Sequence, residues 1–351
     1  IATILHKLFR SLGYKAGMMG TVVNKINDEE IKASNTTPDP ITLNATLAQM
    51  IDAGCQYCFM EVSSHAIFFK RINGLEFAGG IFTNLTQDHL DFHKSFEDYR
   101  DTKKKFFDML PTGSFALSNL DDANGEHMLA STNAKKYFYS LNKDADFNER
   151  IASKLIGEFN AYNMLAVYAS AILLGEDKKK VKEIIPTLDG APGRFIATKS
   201  TNDVTGIVDF AHTPDAVENV LKTINQIKGD GKLITVIGCG GDRDKGKRPI
   251  MAKIAFDIGD ILILTADNPR TEKVEDILAD MQKGLPQNLA EKTFIISDRH
   301  SAIQKACELA KNGDYIALLG KGHENYQEVN GIKTHFDDSE ELKKCFDKMV
   351  K

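Results

Sequence analysis

The stretch "ILILTADNPRTEKVEDI", Ile261 to Ile277, decides how the second half of the chain is read. An apolar run breaks off into Asp267, Asn268, Pro269 and Arg270, and a helical pattern begins a few residues later. A short apolar run bounded by turn residues is read as a buried strand. Pro269 fixes its own φ and bars helix geometry at the residue before it, so three polar side chains share one rigid crest at the strand's end. An Arg fork matches a carboxylate, while Asp and Asn oxygens accept from an ammonium. Such a crest suits a ligand carrying both charges, such as an amino-acid head group. A turn with a surface ion pair would read the same way.

Working outward, the apolar runs "GIVDFAH", "KLITVIGCGG", "ILILTAD", "TFIISD" and "DYIALLGKGHE" alternate with helices such as "PDAVENVLKTINQI" and "SAIQKACELAKNG". That alternation predicts a mostly parallel sheet with helices on both faces. Each strand ends in polar or Gly-rich residues: Asp209 to His212, Gly238 to Asp244, Asp267 to Arg270, Asp298-Arg299 and Gly320 to Glu324. In such sheets the carboxyl ends of the strands form the ligand crevice. The first half mixes strands such as "CQYCFMEVSS" and "GSFALSNLD" with helices such as "TLNATLAQMIDAG" and "FEDYRDTKKKFFDML". Two Pro and two Gly in "IIPTLDGAPGRF" suggest a linker, which predicts domains over residues 1–195 and 196–351.

At 351 residues the chain is long enough for two cores. A net charge of −5 with no basic block argues against non-specific nucleic-acid binding. Five cysteines, an odd number, do not form a secreted disulfide framework. The longest uncharged run, Phe159 to Gly175, is short for a membrane span of ~20 residues and reads as a buried helix. With no signal-peptide pattern, a soluble cytoplasmic protein without membrane insertion is expected. The chain opens on Ile1, already in helical pattern and without a cap, and so reads as cut from something longer.

Several motifs fail on inspection. Cys55 and Cys58 have CxxC spacing but no second pair to complete a zinc site. His89 and His93 are four apart, yet the Glu of a zinc-protease motif is replaced by Leu90. "GDRDKGKR", Gly241 to Arg248, nearly spells a phosphate loop, but Arg248 stands where the Mg²⁺-binding hydroxyl belongs. Glu61, Ser63, Ser64 and His65 end one apolar run, and Asp88 and His89 another. A carboxylate and an imidazole can serve Mg²⁺ beside a nucleotide, although His is an unusual ligand for it. His89 also reads as a plain turn histidine.

The segments "NTTPDP", "MEVSSHAI", "TNLTQDHLDFH", "YRDTK", "GEFNAYN", "APGRF", "VDFAHTPD", "GCGGDRDKGKRP", "TADNPRTE" and "LLGKGHENYQ" run in this order along nearly the whole chain. Together they resemble the Mur ligases of peptidoglycan synthesis. The resemblance implies an α/β architecture: a P-loop-type ATPase domain without its first strand and phosphate loop, then a Rossmann-like domain. It implies an ATP- and Mg²⁺-dependent ligase, active as a monomer. In that chemistry a carboxylate of a UDP-muramoyl-dipeptide is phosphorylated and an incoming amine attacks the acyl phosphate.

By the same resemblance, Glu61 and His89 bind Mg²⁺, and Lys103 is carbamylated to serve the metal. A carbamate needs a shielded, neutral amine, whereas Lys104 and Lys105 can stay solvated. Asn35, Thr36, Thr37, Ser63 and Arg71 match the UDP-muramoyl-dipeptide site. Asn160, Asn163, Arg194 and Asp209 match the ATP contacts, the last two from either side of the domain junction. Arg243, Asp267, Asn268, Arg270, Gly320 and Glu324 match the amino-acid pocket. There Arg270 and Arg243 would take the second carboxylate of meso-diaminopimelate and Glu324 its ammonium. Lysine would leave Arg270 unpaired, at a cost of about several kcal/mol. Domain closure is implied as well.

Two departures stand out. The family's "GTNGKTT"-type loop would precede Ile1, so this stretch alone is expected to bind ATP poorly and to be catalytically weak. Phe69 occupies a position that is usually Gln. The rival readings are a lysine-adding relative, a folylpolyglutamate synthase, a non-catalytic amino-acid-binding fragment, and a metallohydrolase built on His89 and His93.

Overall fold

The computed structural model describes residues 1–286 and 292–348. The chain forms two compact units: Ile1–Leu85 with Lys94–Ala191, and Thr86–His93 with Pro192–Lys351. The division falls a few residues before the expected Phe195. It also gives the Asp88-His89 segment to the second unit, which no composition shift announces.

In the first unit, α1 (Ala2–Ser11) buries Ile4, Leu5, Leu8 and Phe9. Its stripe ends at Gly13, whose φ of +100° a side chain would resist. Three short strands follow, β1 (Ala16–Met19), β2 (Val23–Ile26) and β3 (Glu29–Lys32), joined as an antiparallel meander. α2 (Pro40–Asp52) starts where the Asp39 carboxylate accepts from the N–H groups of Ile41 and Thr42. β4 (Tyr57–Met60) pairs in parallel with β1, and α3 (Ser64–Phe68) leaves its tip. Next come β5 (Gly79–Phe82), α4 (Phe96–Asp108), β6 (Phe115–Asn119), α5 (Gly125–Met128) and β7 (Lys135–Tyr139). β5, β6 and β7 make a parallel sheet. α6 (Glu158–Leu173), the long uncharged run, buries Met164 to Ala171 against Leu8, Phe9 and Tyr139. α7 (Lys178–Ile184) and a short 3₁₀ turn close the unit.

The meander escaped the sequence reading because four-residue strands carry little periodicity. The signal was its hairpin turn, Asn27-Asp28 between paired Ile26 and Glu29, with Asn27 at a φ of +56°.

The second unit contains β8 (Ile196–Lys199), β9 (Thr205–Asp209), α8 (Pro214–Ile227), β10 (Leu233–Ile237), α9 (Lys247–Ile258), β11 (Ile261–Leu264) and α10 (Val274–Gln282). It continues through β12 (Thr293–Ile295), α11 (Arg299–Leu309), β13 (Tyr315–Leu319), β14 (Tyr326–Val329), β15 (Ile332–His335) and α12 (Asp338–Lys348). The main sheet has the order β12-β11-β10-β13-β9-β8, parallel except for the edge strand β8. Apolar clusters cover both faces, which explains why its strands read as continuous apolar runs rather than alternations. The order reverses between β10 and β13, the switch point where ligands bind in such sheets.

The near-phosphate loop Gly241 to Arg248 has another use. Arg248 is fully buried and donates to both oxygens of Glu272 (3.0 and 2.8 Å), to Asp280 (3.0 Å) and to the Gly240 carbonyl (3.2 Å). Glu272 also accepts from the Asp242 N–H at 2.7 Å and pairs with Lys245. The loop is therefore wrapped around its own arginine. The Arg248 hydrogen bonds hold the Glu272 carboxyl down to about 2 against the opposing effect of burial. A carboxyl held below its ordinary 4.5 adds stability above that pH and loses it as pH falls toward 2. Glu272→Gln is therefore expected to cost about 1–3 kcal/mol at pH 7. In urea unfolding the gap from the parent should narrow from pH 5 to pH 3; an equal gap at every pH would remove the ionic role.

Candidate functional site

β11 delivers its crest to the carboxyl end of the second unit's sheet, and Asn268 lies at the centre of what surrounds it. Its Oδ1 accepts from the backbone N–H of Glu328 (2.9 Å) and from Lys321 Nζ (3.3 Å). A backbone donor leaves the amide one orientation, so Nδ2 points to Glu324 Oε2, at 2.8 Å. Lys321 is fully buried and also donates to Glu324 Oε2 (3.4 Å) and to the Tyr326 carbonyl. Tyr326 donates its hydroxyl to the other Glu324 oxygen at 3.4 Å. Burial first, and the neighbouring Asp267 second, push the Glu324 carboxyl above its ordinary value, against Lys321 and Asn268.

Gly320 closes on the crest from β13. Its φ is +112°, and a Cβ there would lie 2.5 Å from Asp267 Oδ2. Arg270, at a φ of +53°, is held by backbone bonds to Glu328 and Asn330, which dock β14 onto the crest. Its guanidinium donates to the Gly241 carbonyl at 2.7 Å and stands 4.0 Å from Glu328. Arg243 is exposed, with one N–H on the Asp242 carbonyl. A Cβ on Gly240 would lie 2.8 Å from Arg270 and 3.7 Å from Arg243, so that glycine lets both arginines approach.

The structure thus places Arg243, Asp267, Asn268, Arg270, Gly320 and Glu324 at one end of one sheet. Two expectations need correction. Arg270 already has the Gly241 carbonyl and Glu328 as neighbours, so a ligand lacking the second carboxylate would not strand it. Asp298 and Arg299 do not line the crevice: Asp298 caps α11 through the Ser301 N–H, and Arg299 is buried. Lys321 and Tyr326 were missed as site residues although both lie in "LLGKGHENYQ", because a lysine in a polar loop gives no sign of burial.

The segment Thr86–His93 belongs to this unit through Asp88. Its carboxylate accepts from Lys247 (3.2 Å) and lies 3.6 Å from His212 and 3.7 Å from His89. Burial alone would raise the Asp88 carboxyl; His212, Lys247 and His89 outweigh it and hold the group far below its usual range. His89 adopts a φ of +57°. Gln87 donates to Asp244 at 3.0 Å. His93 is buried, and the described residues contain no group of three or more His, Cys, Asp or Glu that could hold a metal ion.

Arg194 and Asp209 both lie in the second unit rather than on either side of a junction. Asp209 accepts from the N–H groups of Phe195 and Ala211, both at 2.7 Å; burial raises its carboxyl, opposed by Arg194. The Arg194 guanidinium lies over the Phe210 ring, and His323 packs against the same ring. Burial, then Arg194, push the His323 imidazole down to about 4.

In the first unit, the tip of β4 meets the polar turn before α2. The Thr37 hydroxyl donates to the Glu61 carbonyl (2.8 Å) and accepts the Ser63 N–H (3.1 Å), while Arg71 donates to the Thr37 carbonyl (2.9 Å). Glu61 Oε2 accepts from Thr21, which also pairs with Thr36. Asn35 is exposed beside them. Phe69 is exposed, packs edge-on against Phe68 and lies under the Arg71 guanidinium, so an aromatic face stands where the family pattern has an amide.

Lys103 is half-buried on α4, with its amine over the Tyr99 ring. Lys104, expected to be solvated, is instead 12% exposed and paired with Asp108 at 2.6 Å. Asn160 donates to the Ile156 carbonyl, and Asn163 reaches Asn160 Oδ1 one turn on, so the two share a face of α6. Burial pushes the Cys58 thiol up to about 12.

Comparison with known proteins extends this picture. The Mur ligase middle domain matches residues 1–171, and the Mur ligase, glutamate ligase domain matches residues 193–322. The UDP-N-acetylmuramoyl-L-alanyl-D-glutamate–2,6-diaminopimelate ligase of Bacteroides thetaiotaomicron is 53% identical over 364 aligned positions, covering 99% of this chain and 76% of the relative. The ligase of the same name from Clostridioides difficile is 40% identical, with 99% and 76% covered. A solved structure of a ligase of that name covers all of this chain and 76% of its own, with 34% identity and a TM-score of 0.66. A folylpolyglutamate synthase from Mycobacterium tuberculosis shares the fold (TM-score 0.69) at 15% identity, covering 91% of this chain and 85% of its own. Matched in both of its units and by relatives across nearly its whole length, the chain belongs to the Mur ligase family.

Proposed function

We propose that this chain carries out the ATP-dependent joining of meso-2,6-diaminopimelate to UDP-N-acetylmuramoyl-L-alanyl-D-glutamate, a step in building peptidoglycan precursors. The observation that carries the reading is the end of the second unit's sheet. Two arginines converge at Gly240 beside the buried carboxylate of Asp267 and the part-buried one of Glu324. That combination suits a ligand with carboxylates and ammonium groups rather than a folate. Relatives named for this reaction at about half identity support it.

In this reading Arg270 and Arg243 hold the far carboxylate, and Glu324 and Asp267 receive the ammonium at that end. The fixed Asn268 amide orients Glu324 between them. Thr36, Thr37, Ser63 and Arg71, with Asn35, hold the UDP-muramoyl-dipeptide. Asn160 and Asn163 on α6, with Arg194 just before β8 and Asp209 at the end of β9, are the residues assigned to the nucleotide. The acyl-phosphate step concentrates negative charge, so pre-placed cations do most of the catalytic work.

Mg²⁺ would supply part of that neutralisation. It favours one or two protein carboxylates together with phosphate oxygens and water over a closed protein cage. The Glu61 carboxylate, with one oxygen on Thr21, fits such a site; His89 and a carbamylated Lys103 are the other residues we assign to it. No helix among the described residues is long and apolar enough to cross a membrane; a cytoplasmic monomer acting on nucleotide substrates is part of our reading.

In a protein that also carries the quarter of length its relatives have beyond this chain, phosphate release from ATP should require UDP-muramoyl-dipeptide and meso-diaminopimelate. L-Lysine should support it about 10- to 150-fold less well, the worth of one charge-assisted bond, about 1.5–3 kcal/mol. Arg270→Met should erase most of that preference; equal use of lysine by the parent would sink the role given to Arg270. Lys103→Arg keeps a cation over Tyr99 but cannot take up CO₂, so kcat should fall at least about 100-fold with an unchanged melting temperature. Full activity in that variant would rule the carbamate out.

A further inference from the structure

Arg299 was expected in the ligand crevice and is found beneath it. Its side chain and that of Asp338 are both fully buried and joined by a two-pronged bond, Nε to Oδ1 at 2.8 Å and Nη2 to Oδ2 at 2.6 Å. The rest of the fork is also used: Nη1 donates to the Ala266 carbonyl and Nη2 to the Leu319 carbonyl, both at 3.1 Å. Ala266 immediately precedes Asp267, and Leu319 immediately precedes Gly320. One guanidinium therefore grips the roots of both loops that make the amino-acid pocket.

The sheet order gives that grip its meaning. β10 lies between β11 and β13, so no ladder bond sets the distance between their tips. Above Arg299 the loops touch closely, Gly320 against Asp267 and Lys321 against Asn268. Each contact demands placement within a few tenths of an ångström. Stability alone is a poor reason for the pair, since buried ion pairs are often replaced by apolar residues at little cost.

We propose that Arg299, locked by Asp338, is a positioning residue for the amino-acid substrate. It sets the spacing of the crest Asp267–Arg270 against the loop Gly320–Glu324 without touching the ligand. The inference rests on the amino-acid pocket assigned above.

The test uses the full-length enzyme with two changes: Arg299→Met together with Asp338→Leu, which removes both charges at similar volume, and Arg299→Lys, which keeps the charge but not the fork. Misplacement of binding groups by about 1 Å costs up to about 100-fold, so the double variant should raise the KM for diaminopimelate at least about 10-fold. The KM for ATP should stay within about 2-fold, and Arg299→Lys should move the same way by less. Without any ligand, the amides of Asp267, Asn268, Arg270 and residues 320–324 should exchange with solvent at least about 10-fold faster, while those of β9 and β10 stay as they were. A folded variant of either kind with unchanged exchange in both loops and an unchanged amino-acid KM would overturn the proposal. Faster exchange in both loops, in a parent that uses no amino acid, would uphold the clamp and discard the substrate reading.

Discussion

A lysine ammonium with no access to water must find acceptors or give up its charge. Lys321 finds three, and the shape of the pocket follows from where they are. One comes from the crest after β11, one from the loop after β13, and one is the backbone at the start of β14. Moving any of these segments would expose or strand the charge. The Asn268 amide then has a single orientation, and Glu324 a single place.

The same site is close to electrostatic balance before any ligand arrives. Asp267, Glu324 and Asp338 face Lys321, Arg270 and Arg299, all buried or nearly so. A cluster of like charges alone would repel itself or neutralise by proton uptake; burial and Asp267 raise the Glu324 carboxyl in that direction, against Lys321 and Asn268. Paired in this way, the charges can stay fixed. Gly241 and Glu328 play that part for Arg270.

Glycines determine where backbone and side chain may come close. Gly240 admits two arginines, Gly320 admits the Asp267 carboxylate, and Gly322 and Gly193 press together beside Phe210 and His323. These contacts connect the loop beginning at Gly320 to the strand end that carries Arg194 and Asp209. The Gly241 to Arg248 loop shows the limit of motif matching. Its spacing is nearly that of a phosphate cradle, yet its last residue is a fully buried arginine binding the loop to Glu272 and Asp280.

Sequence by itself determined the parallel α/β sheet of the second unit, because strands covered on both faces must be apolar throughout. It marked where most of these strands give way to loops, because Pro and clusters of charged residues are poorly tolerated inside a sheet covered on both faces. The polar crest and the loop beginning at Gly320 were legible for that reason. Tertiary structure alone decided which polar residues face a ligand and which are consumed within. Arg270 and Arg299 both stand at strand ends, and nothing in their neighbours separates them; burial against α12 makes one of them internal, through an aspartate 39 positions away. It also decided that Lys321 is buried, that Lys104 pairs with Asp108, and that Asp88 and His89 belong with the second unit. The Lys104–Asp108 pair is only four residues apart on α4, and there the structure decided that it forms and is part-buried. The burial of Lys321 and the placing of Asp88 and His89 depend on contacts between residues far apart in the chain, of which local pattern carries no record.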